Sequence, residues 1–199
     1  KGEPVPAIAE ELLVHDSPPL LEIIESIHAT SDNHETECVF RMLGVQAAMP
    51  SEEVVRRHWE QRGLDLAGLR LVDGSGLARA DHITPRMLAR LQHLAATGPA
   101  GEAYVNSLLA TAGGAIRFKA GAMSAVRSYA GLVETDQGRL AFSLMMNHYA
   151  DGGEVNEIQG AVFSALLGAV EEEVPEVKPE ETPEKKEEPI SNEKAPSEE

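Results

Sequence analysis

Alternating apolar and polar positions between residues 116 and 149 predict a β-hairpin. The first run, residues 126–134, alternates and is rich in β-branched and aromatic side chains. The second run, residues 139–149, is largely apolar, as in a strand that is covered on both faces. Residues 136–138 read Asp-Gln-Gly, and the glycine can take the positive φ of a tight turn. We therefore expect two antiparallel strands joined by a tight turn.

Apolar residues recur at helical spacing in the first third of the chain. A first helix should begin after Ser17, which we expect to cap it, and should end at the polar residues 30–33. A second helix should follow, with Cys38 on its apolar face and Gly44 at its end. A third helix is expected at residues 51–62, with its opening serine as the cap.

The rest of the chain alternates between short apolar runs and glycine-rich loops. A short strand is predicted at residues 69–72, and further helices are predicted at residues 86–96, 102–109 and 155–170. The last of these helices has an apolar face that should pack on the sheet. Antiparallel strands covered by helices place the fold in the α/β class.

Negative charge is concentrated at the carboxyl-terminal end. The chain has 199 residues and a net charge of −16, and the twelve Glu and four Lys from residue 171 onward account for half of that charge. Residues 171–199 contain almost nothing to bury, so we predict a disordered acidic Pro/Glu/Lys tail after a domain formed by residues 1–170. An acidic chain without clustered Lys and Arg also argues against a nucleic-acid partner.

Several other features are missing from the sequence. No apolar run approaches the roughly 20 residues that a membrane-spanning helix needs. The seven histidines form no H-x-x-x-H pattern or Cys/His cluster, so no metal site is predicted. The single cysteine, Cys38, has apolar neighbours and is interpreted as a small core residue rather than a nucleophile. The chain begins at Lys1 with no apolar leader, so we expect a cut or processed fragment.

Three polar motifs are candidates for chemistry. Lys119 and Gly121 flank Ala120 on a strand, where the ammonium can reach a substrate's charge and the glycine leaves room for its backbone. The alternative is an ordinary hairpin with a solvated lysine. Residues 31–33, Ser-Asp-Asn, either point into a cleft at a helix junction or only cap the second helix. The loop at residues 73–77, D-G-S-G-L, is neither a nucleophile elbow nor a phosphate loop.

Together, these motifs resemble those of one family. Any one of them is weak, but four in the family's order and near its spacings make a specific signal. From about Leu12 to Leu167 the chain resembles the carboxyl-terminal part of class C low-molecular-mass penicillin-binding proteins, the D-alanyl-D-alanine carboxypeptidases and endopeptidases. The matching segments are Ser17-Pro18-Pro19-Leu20, Ser31-Asp32-Asn33 followed by Val39-Phe40-Arg41-Met42-Leu43-Gly44, Asp73-Gly74-Ser75-Gly76-Leu77-Ala78-Arg79, Thr84-Pro85, Lys119-Ala120-Gly121 and Val126-Arg127-Ser128-Tyr129-Ala130-Gly131.

The resemblance implies a fold and a chemistry. The fold would be the helix-covered antiparallel sheet of serine β-lactamases and penicillin-binding proteins, present as a partial domain over residues 1–170. Members of the family use the serine and lysine of an S-x-x-K motif to form an acyl-enzyme with D-Ala-D-Ala peptides or with penicillin. The implied partners are peptidoglycan stem peptides, with β-lactams as inhibitors. The implied location is the periplasm or cell envelope, and no cofactor is implied.

The resemblance also assigns roles to individual residues. Ser31 would relay protons to the leaving group, and Asn33 would hold the substrate's peptide carbonyl or side chain. Lys119 would steady the substrate carboxylate and the proton network. Gly121 would let the bound peptide pair with the strand, and the backbone N–H of Ala122 would form half of an oxyanion hole.

The chain departs from the family's pattern in three respects. S-x-x-K occurs only at residues 191–194, inside the predicted tail, so the nucleophile is expected upstream of this chain. Ala120 stands where the family has Thr or Ser, so a hydroxyl that helps to bind the carboxylate is missing. The segment before Lys119 is also shorter than usual. Asp73 and Ser75 do match the family's D-G-S-G loop, for which a role in shaping the site is implied.

Two functions remain open from the sequence. The first is the carboxyl-terminal part of a serine D-Ala-D-Ala carboxypeptidase that is inactive without its upstream part. The second is a degenerate relative that binds peptidoglycan peptides or a protein partner without turnover. In either case we expect these 199 residues alone to show no turnover and to expose an apolar face.

Overall fold

The computed structural model of the chain describes residues 13–135 and 138–168. The predicted tail, the domain boundary at residue 170 and turn residues 136 and 137 lie outside them. The elements in chain order are the helices α1 Leu20–Thr30, α2 Asn33–Ala47, α3 Ser51–Glu60, α4 Pro85–Thr97 and α5 Gly101–Ser107, the strands β1 Leu109–Thr111, β2 Ile116–Met123, β3 Val126–Thr135 and β4 Gly138–Asn147, and the helix α6 Gly152–Leu166.

The strands form a sheet in the order β1-β2-β3-β4, and each neighbouring pair is antiparallel. The stretch from 116 to 149 therefore holds three strands, and the prediction of two was wrong. The turn that was missed joins β2 to β3, where Met123 pairs with Val126 and Ala125 has a φ of 55°. An alanine in this conformation leaves no glycine signal in the sequence. Gly138 begins β4 with the positive φ that the sequence predicted, 108°.

Helix α6 packs on one face of the sheet, as predicted. The buried ring of Phe163 meets Phe118, Tyr129 and Phe142 edge-on, with ring centroids 5.3 to 5.8 Å apart. Edge-to-face pairs of this kind add to the stabilisation from apolar burial. This cluster is the aromatic core of the described fold.

Helices α4 and α5 lie against the opposite face. Leu132 of β3 is buried with Val105 and Leu108 at the end of α5. Leu132 is the register partner of Arg117, and side chains alternate along a strand, so Lys119 also lies on this face. Helix α4 begins where Thr84-Pro85 predicted it, with Pro85 at its first position, and the Thr84 side chain caps it by accepting a hydrogen bond from the Met87 backbone N–H.

The ends of the first three helices differ from the prediction. Ser17 does not cap α1, because the N-cap is Pro19 and carries no side-chain bond. Gly44 does not end α2 but is buried within it, where an added Cβ would lie 2.7 Å from the Met49 carbonyl oxygen. The N-cap of α3 is Pro50, so Ser51 is the first helical residue rather than the cap.

Two further predictions for this region were wrong. Residues 69–72 form no strand, and only an isolated bridge joins Arg70 to His82. Cys38 is exposed rather than buried in a core. It lies on a face of α2 that no described element covers, and apolar spacing alone cannot tell which apolar positions find a partner.

Apolar side chains are exposed on α1 and α2. The sequence predicted an exposed apolar face but did not assign it to these helices. They are Leu20, Leu21, Met42, Leu43 and Val45. None of the helices in the described part of the chain combines the length and apolarity that crossing a membrane requires.

Candidate active site

Ser31 and Lys119 meet although 88 residues separate them in the chain. The Lys119 ammonium donates a hydrogen bond to Ser31 Oγ over 2.7 Å, and it also donates to the Ala120 carbonyl oxygen over 2.9 Å. Ser31 comes from the carboxyl-terminal end of α1, and Lys119 comes from the middle of β2. The two motifs that the sequence indicated separately thus form one side-chain pair.

The backbone at Ser31 is strained. Ser31 ends α1 in the left-handed region, with φ 59° and ψ 38°, and its N–H donates to the Ile27 carbonyl oxygen over 2.9 Å. A non-glycine residue held in this region costs on the order of 1–3 kcal/mol, and such residues cluster at active sites. The left-handed conformation of Ser31 turns the chain sharply between α1 and α2.

Asp32 begins α2 immediately after this turn. Its side chain accepts a hydrogen bond from the Glu35 backbone N–H over 2.8 Å, so Asp32 is the N-cap. Asn33 is the first residue of the helix and is exposed. The capping interpretation of the Ser-Asp-Asn motif is therefore confirmed for Asp32, and Ser31 contacts the lysine.

Lys119 is half-buried, and burial lowers the pKa of its ammonium. A lowered pKa makes the ammonium a readier proton donor to Ser31 Oγ.

On one edge of β2, β1 pairs only with residues 116–118. No strand of the described residues pairs with that edge from Lys119 to Met123.

The neighbours of Lys119 take different positions on β2. Ala120 packs against the aromatic core next to α6. Gly121 and Ala122 are exposed near the end of the strand. An added Cβ on Gly121 would lie 2.8 Å from Ser128 Oγ on β3, so a side chain here would displace the Ser128 hydroxyl.

Asp73 and Ser75 lie in a loop that is folded around the Asp73 carboxylate. The carboxylate accepts hydrogen bonds from the backbone N–H groups of Gly76 and Ala78 and from the Ser75 hydroxyl. Burial raises the pKa of Asp73, but these hydrogen bonds outweigh it and the pKa is lowered overall. The loop is tied to α2 because the Gly74 N–H donates to the Glu37 carboxylate over 2.8 Å. These bonds hold the shape of the loop, and none of them reaches Ser31 or Lys119.

His28 lies one helical turn before Ser31, and sequence reasoning did not select it. Its Nδ1 is 2.8 Å from Ser107 Oγ at the end of α5. Burial lowers the pKa of His28, and the positive charge of Lys119 lowers it further. The only sequence signal was its position three residues before the serine of the motif.

The chain matches the model of one protein family over most of its length. The model for the D-Ala-D-Ala carboxypeptidase 3 (S13) family matches residues 2–166. The chain belongs to the S13 family. The resemblance inferred from the motifs is therefore confirmed, and the match extends over the site and all of the described fold.

Two curated S13-like relatives are similar in sequence. A carboxypeptidase of Mycobacterium tuberculosis is 30% identical over 176 residues, covering 74% of this chain and 38% of the relative. A D-alanyl-D-alanine carboxypeptidase of an Actinomadura species is 30% identical over 192 residues, covering 84% of this chain and 36% of the relative. The chain thus spans less than two fifths of the length of these relatives.

Two solved structures are similar to this chain in fold. Penicillin-binding protein 4 of Haemophilus influenzae superposes with a TM-score of 0.70 at 18% identity, over 76% of this chain and 40% of that chain. A penicillin G-acylated predatory endopeptidase of Bdellovibrio bacteriovorus superposes with a TM-score of 0.62 at 18% identity, over 76% and 46% of the two chains. The predicted antiparallel sheet covered by helices is confirmed.

Proposed function

We propose that this chain is the carboxyl-terminal part of a serine-type D-Ala-D-Ala carboxypeptidase or endopeptidase that acts on peptidoglycan stem peptides. The observation that carries the proposal is the 2.7 Å hydrogen bond between Lys119 Nζ and Ser31 Oγ at a strained helix junction. Membership of the S13 family supports the substrate class. The nucleophilic serine and its lysine lie outside these 199 residues.

In the acylation step, the upstream serine oxygen attacks the carbonyl carbon of the penultimate D-Ala and gives its proton to the S-x-x-K lysine. The peptide C–N bond breaks, and the leaving amine needs a proton. Ser31 donates that proton from Oγ and regains one from the Lys119 ammonium, whose pKa is lowered by burial. Water then hydrolyses the ester, which releases the shortened peptide and frees the serine.

The strand β2 binds the substrate in this proposal. Its edge from Lys119 to Met123 offers backbone groups for an added peptide strand, and Gly121 places no side chain beside that peptide. The Ala122 N–H donates to the developing oxyanion, a contribution typically worth about 3–4 kcal/mol in such sites. Asn33, exposed at the start of α2, holds the peptide from the other side. Asp73 and Ser75 shape the neighbouring loop.

A second candidate function is binding without turnover. It is favoured by Ala120, which packs against the aromatic core and brings no hydroxyl to the substrate carboxylate. A lost hydrogen bond to a charged group costs about 1.5–3 kcal/mol, or roughly 10- to 100-fold in rate. The missing hydroxyl weakens catalysis but leaves the Ser31–Lys119 pair in place. We therefore propose catalysis with turnover ahead of binding without turnover.

The full-length protein tests the proposal by intact-mass analysis after incubation with benzylpenicillin. We expect one covalent adduct per molecule, on a serine of an S-x-x-K motif outside these 199 residues. Ser31→Gly should slow adduct formation, because it removes the hydroxyl and leaves the left-handed backbone unstrained. Ser164→Ala, at an exposed position on α6, is the matched control and should not change the rate.

Two results would contradict the proposal. A folded protein that forms no adduct would favour binding without turnover. An adduct on Ser31 itself would make this serine the nucleophile and overturn the roles given above.

We also propose a periplasmic or cell-envelope location, which fractionation of the native cells would test.

A further inference from the structure

His28 joins α1 to α5 through a buried hydroxyl. The buried Ser107 hydroxyl is 2.7 Å from the Tyr104 carbonyl oxygen and 2.8 Å from His28 Nδ1. A hydroxyl has one hydrogen, and a carbonyl oxygen can only accept. Ser107 therefore donates to Tyr104 and accepts from His28, so the proton of the neutral imidazole lies on Nδ1.

The imidazole is also fixed by packing. Its ring lies edge-on to Tyr104 with the ring centroids 6.0 Å apart, and the Tyr104 hydroxyl donates to the buried Gln92 side chain. His28 is thus held from α5 by both a hydrogen bond and an aromatic contact. Three residues later, α1 ends at Ser31.

We propose that His28 is a positioning residue for the Ser31–Lys119 pair, an inference that rests on the proposed function. The neutral Nδ1–H imidazole holds the last turn of α1 against α5, and so holds Ser31 Oγ in reach of the Lys119 ammonium. Protonation of His28 places a second cation beside Lys119, repels the ammonium and sets an acid limit on the activity of the pair.

The groups around His28 agree with an acid limit. Lys119 on β2 adds a positive charge that lowers the pKa of His28 after the larger effect of burial. Tyr104 on α5 is neutral, because burial raises its pKa to about 12. Glu35 on α2 accepts a hydrogen bond from Ser26, two residues before His28. The hydrogen bond to Ser107 raises the pKa of His28, but the two lowering effects outweigh it, and no carboxylate in the described ranges contributes.

The sign of the effect on stability follows from the lowered pKa. Above the ordinary histidine pKa of about 6.5, His28 is neutral in the folded and the unfolded protein. As the pH falls below this value, the unfolded chain takes up a proton that folded His28 resists. The contribution of His28 to stability is therefore complete above about pH 6.5 and is lost towards the lowered folded-state pKa.

The first arm of the test is an NMR titration of the full-length protein labelled with [13Cε1]histidine, in which His28→Asn assigns the His28 signal. We expect this signal to titrate below pH 6.5 in the unmodified protein and at a higher pH in Lys119→Met, which removes the neighbouring charge. The same midpoint in both proteins would overturn the proposal. This arm does not depend on catalysis.

The second arm measures the rate of benzylpenicillin acylation against pH. The amide of His28→Asn can donate to Ser107 but cannot be protonated, so the acid side of the profile should move to lower pH, with the rate near pH 8 preserved. His28→Leu lacks the donor and also cannot be protonated, so its rate near pH 8 should fall roughly threefold to tenfold, the equivalent of one hydrogen bond, while its acid side moves as in His28→Asn. An acid side unchanged in His28→Asn would overturn the proposal.

Failure of the proposed function gives a different pattern. A protein that forms no acyl adduct at any pH contradicts the proposed function. The titration of His28 with and without the charge of Lys119 still decides whether the imidazole and the ammonium are coupled.

Discussion

The two faces of the sheet differ in the kind of contact that their side chains make. On the α6 face, Phe163 is enclosed by three aromatic rings, and the contacts are apolar. On the opposite face, near the junction of α1 and α2, Lys119 is half-buried and meets Ser31 in a strained conformation. The first arrangement stabilises the fold, and the second places polar groups at some cost in stability. The difference separates residues that hold the sheet together from residues that would act on a substrate.

Removing the central ring of the α6 face should have the largest effect on stability. Phe163→Ala leaves a cavity among the surrounding rings, so we expect a loss of about 3–5 kcal/mol in the free energy of unfolding. Urea denaturation followed by circular dichroism measures it. Ile158→Ala, at an exposed position on the same helix, should change the free energy by less than about 0.5 kcal/mol. Equal losses in the two variants would mean that the cluster is not the core.

Removing the charge on the opposite face should affect acylation rather than stability. Lys119→Met keeps an unbranched side chain, one atom shorter, but has no ammonium to donate to Ser31 Oγ. We expect benzylpenicillin acylation of the full-length protein to slow by about 10²–10³-fold, with an unfolding midpoint close to the original. Arg117→Met, two residues away on the same face of β2, is the control. A comparable loss in that control would assign the effect to general charge rather than to Lys119.

Restoring a hydroxyl at residue 120 sharpens the comparison, because Ala120 follows Lys119 on β2 but packs against the aromatic core of the α6 face. We expect Ala120→Thr to speed acylation by roughly threefold to tenfold through a hydrogen bond to the ligand carboxylate. Ala120→Val has nearly the same shape without the hydroxyl and separates the hydrogen bond from packing. A gain in the valine variant as well would show that packing is responsible.

The smallest effect concerns the cap beside Ser31. Asp32→Ala removes the acceptor of the Glu35 N–H and should cost about 1 kcal/mol in the free energy of unfolding. Asp32→Ser retains a capping oxygen and should recover most of that loss. If the alanine and serine variants have the same urea midpoint, the cap contributes nothing measurable.

The sequence identified candidate site residues more readily than the contacts between them. The motifs identified Ser31 and Lys119 as candidates, since the pattern of residue types is local. Their contact could not be read from periodicity, because it depends on how α1 and β2 pack across 88 intervening residues. His28 was missed for the same reason, since its partner Ser107 is 79 residues away.

The errors in the fold share a physical cause. Glycine was used as the marker for turns and helix ends, but Ala125 forms the turn between β2 and β3, and Ala48 ends α2 with a φ of 52°. Gly44 instead allows close packing inside a helix. Where the turn chemistry was explicit, as at Thr84-Pro85 and at Gly138, the prediction was correct.

The left-handed backbone at Ser31 also bears on how this protein can be engineered. Glycine adopts this conformation at no steric cost, so a search for thermostable variants should favour glycine at this position. Such a variant would lack the hydroxyl that accepts the Lys119 hydrogen bond. Ser31 is therefore a position where a gain in heat resistance and the loss of the hydroxyl come from the same substitution, and a screen on melting temperature alone would select against the proposed function.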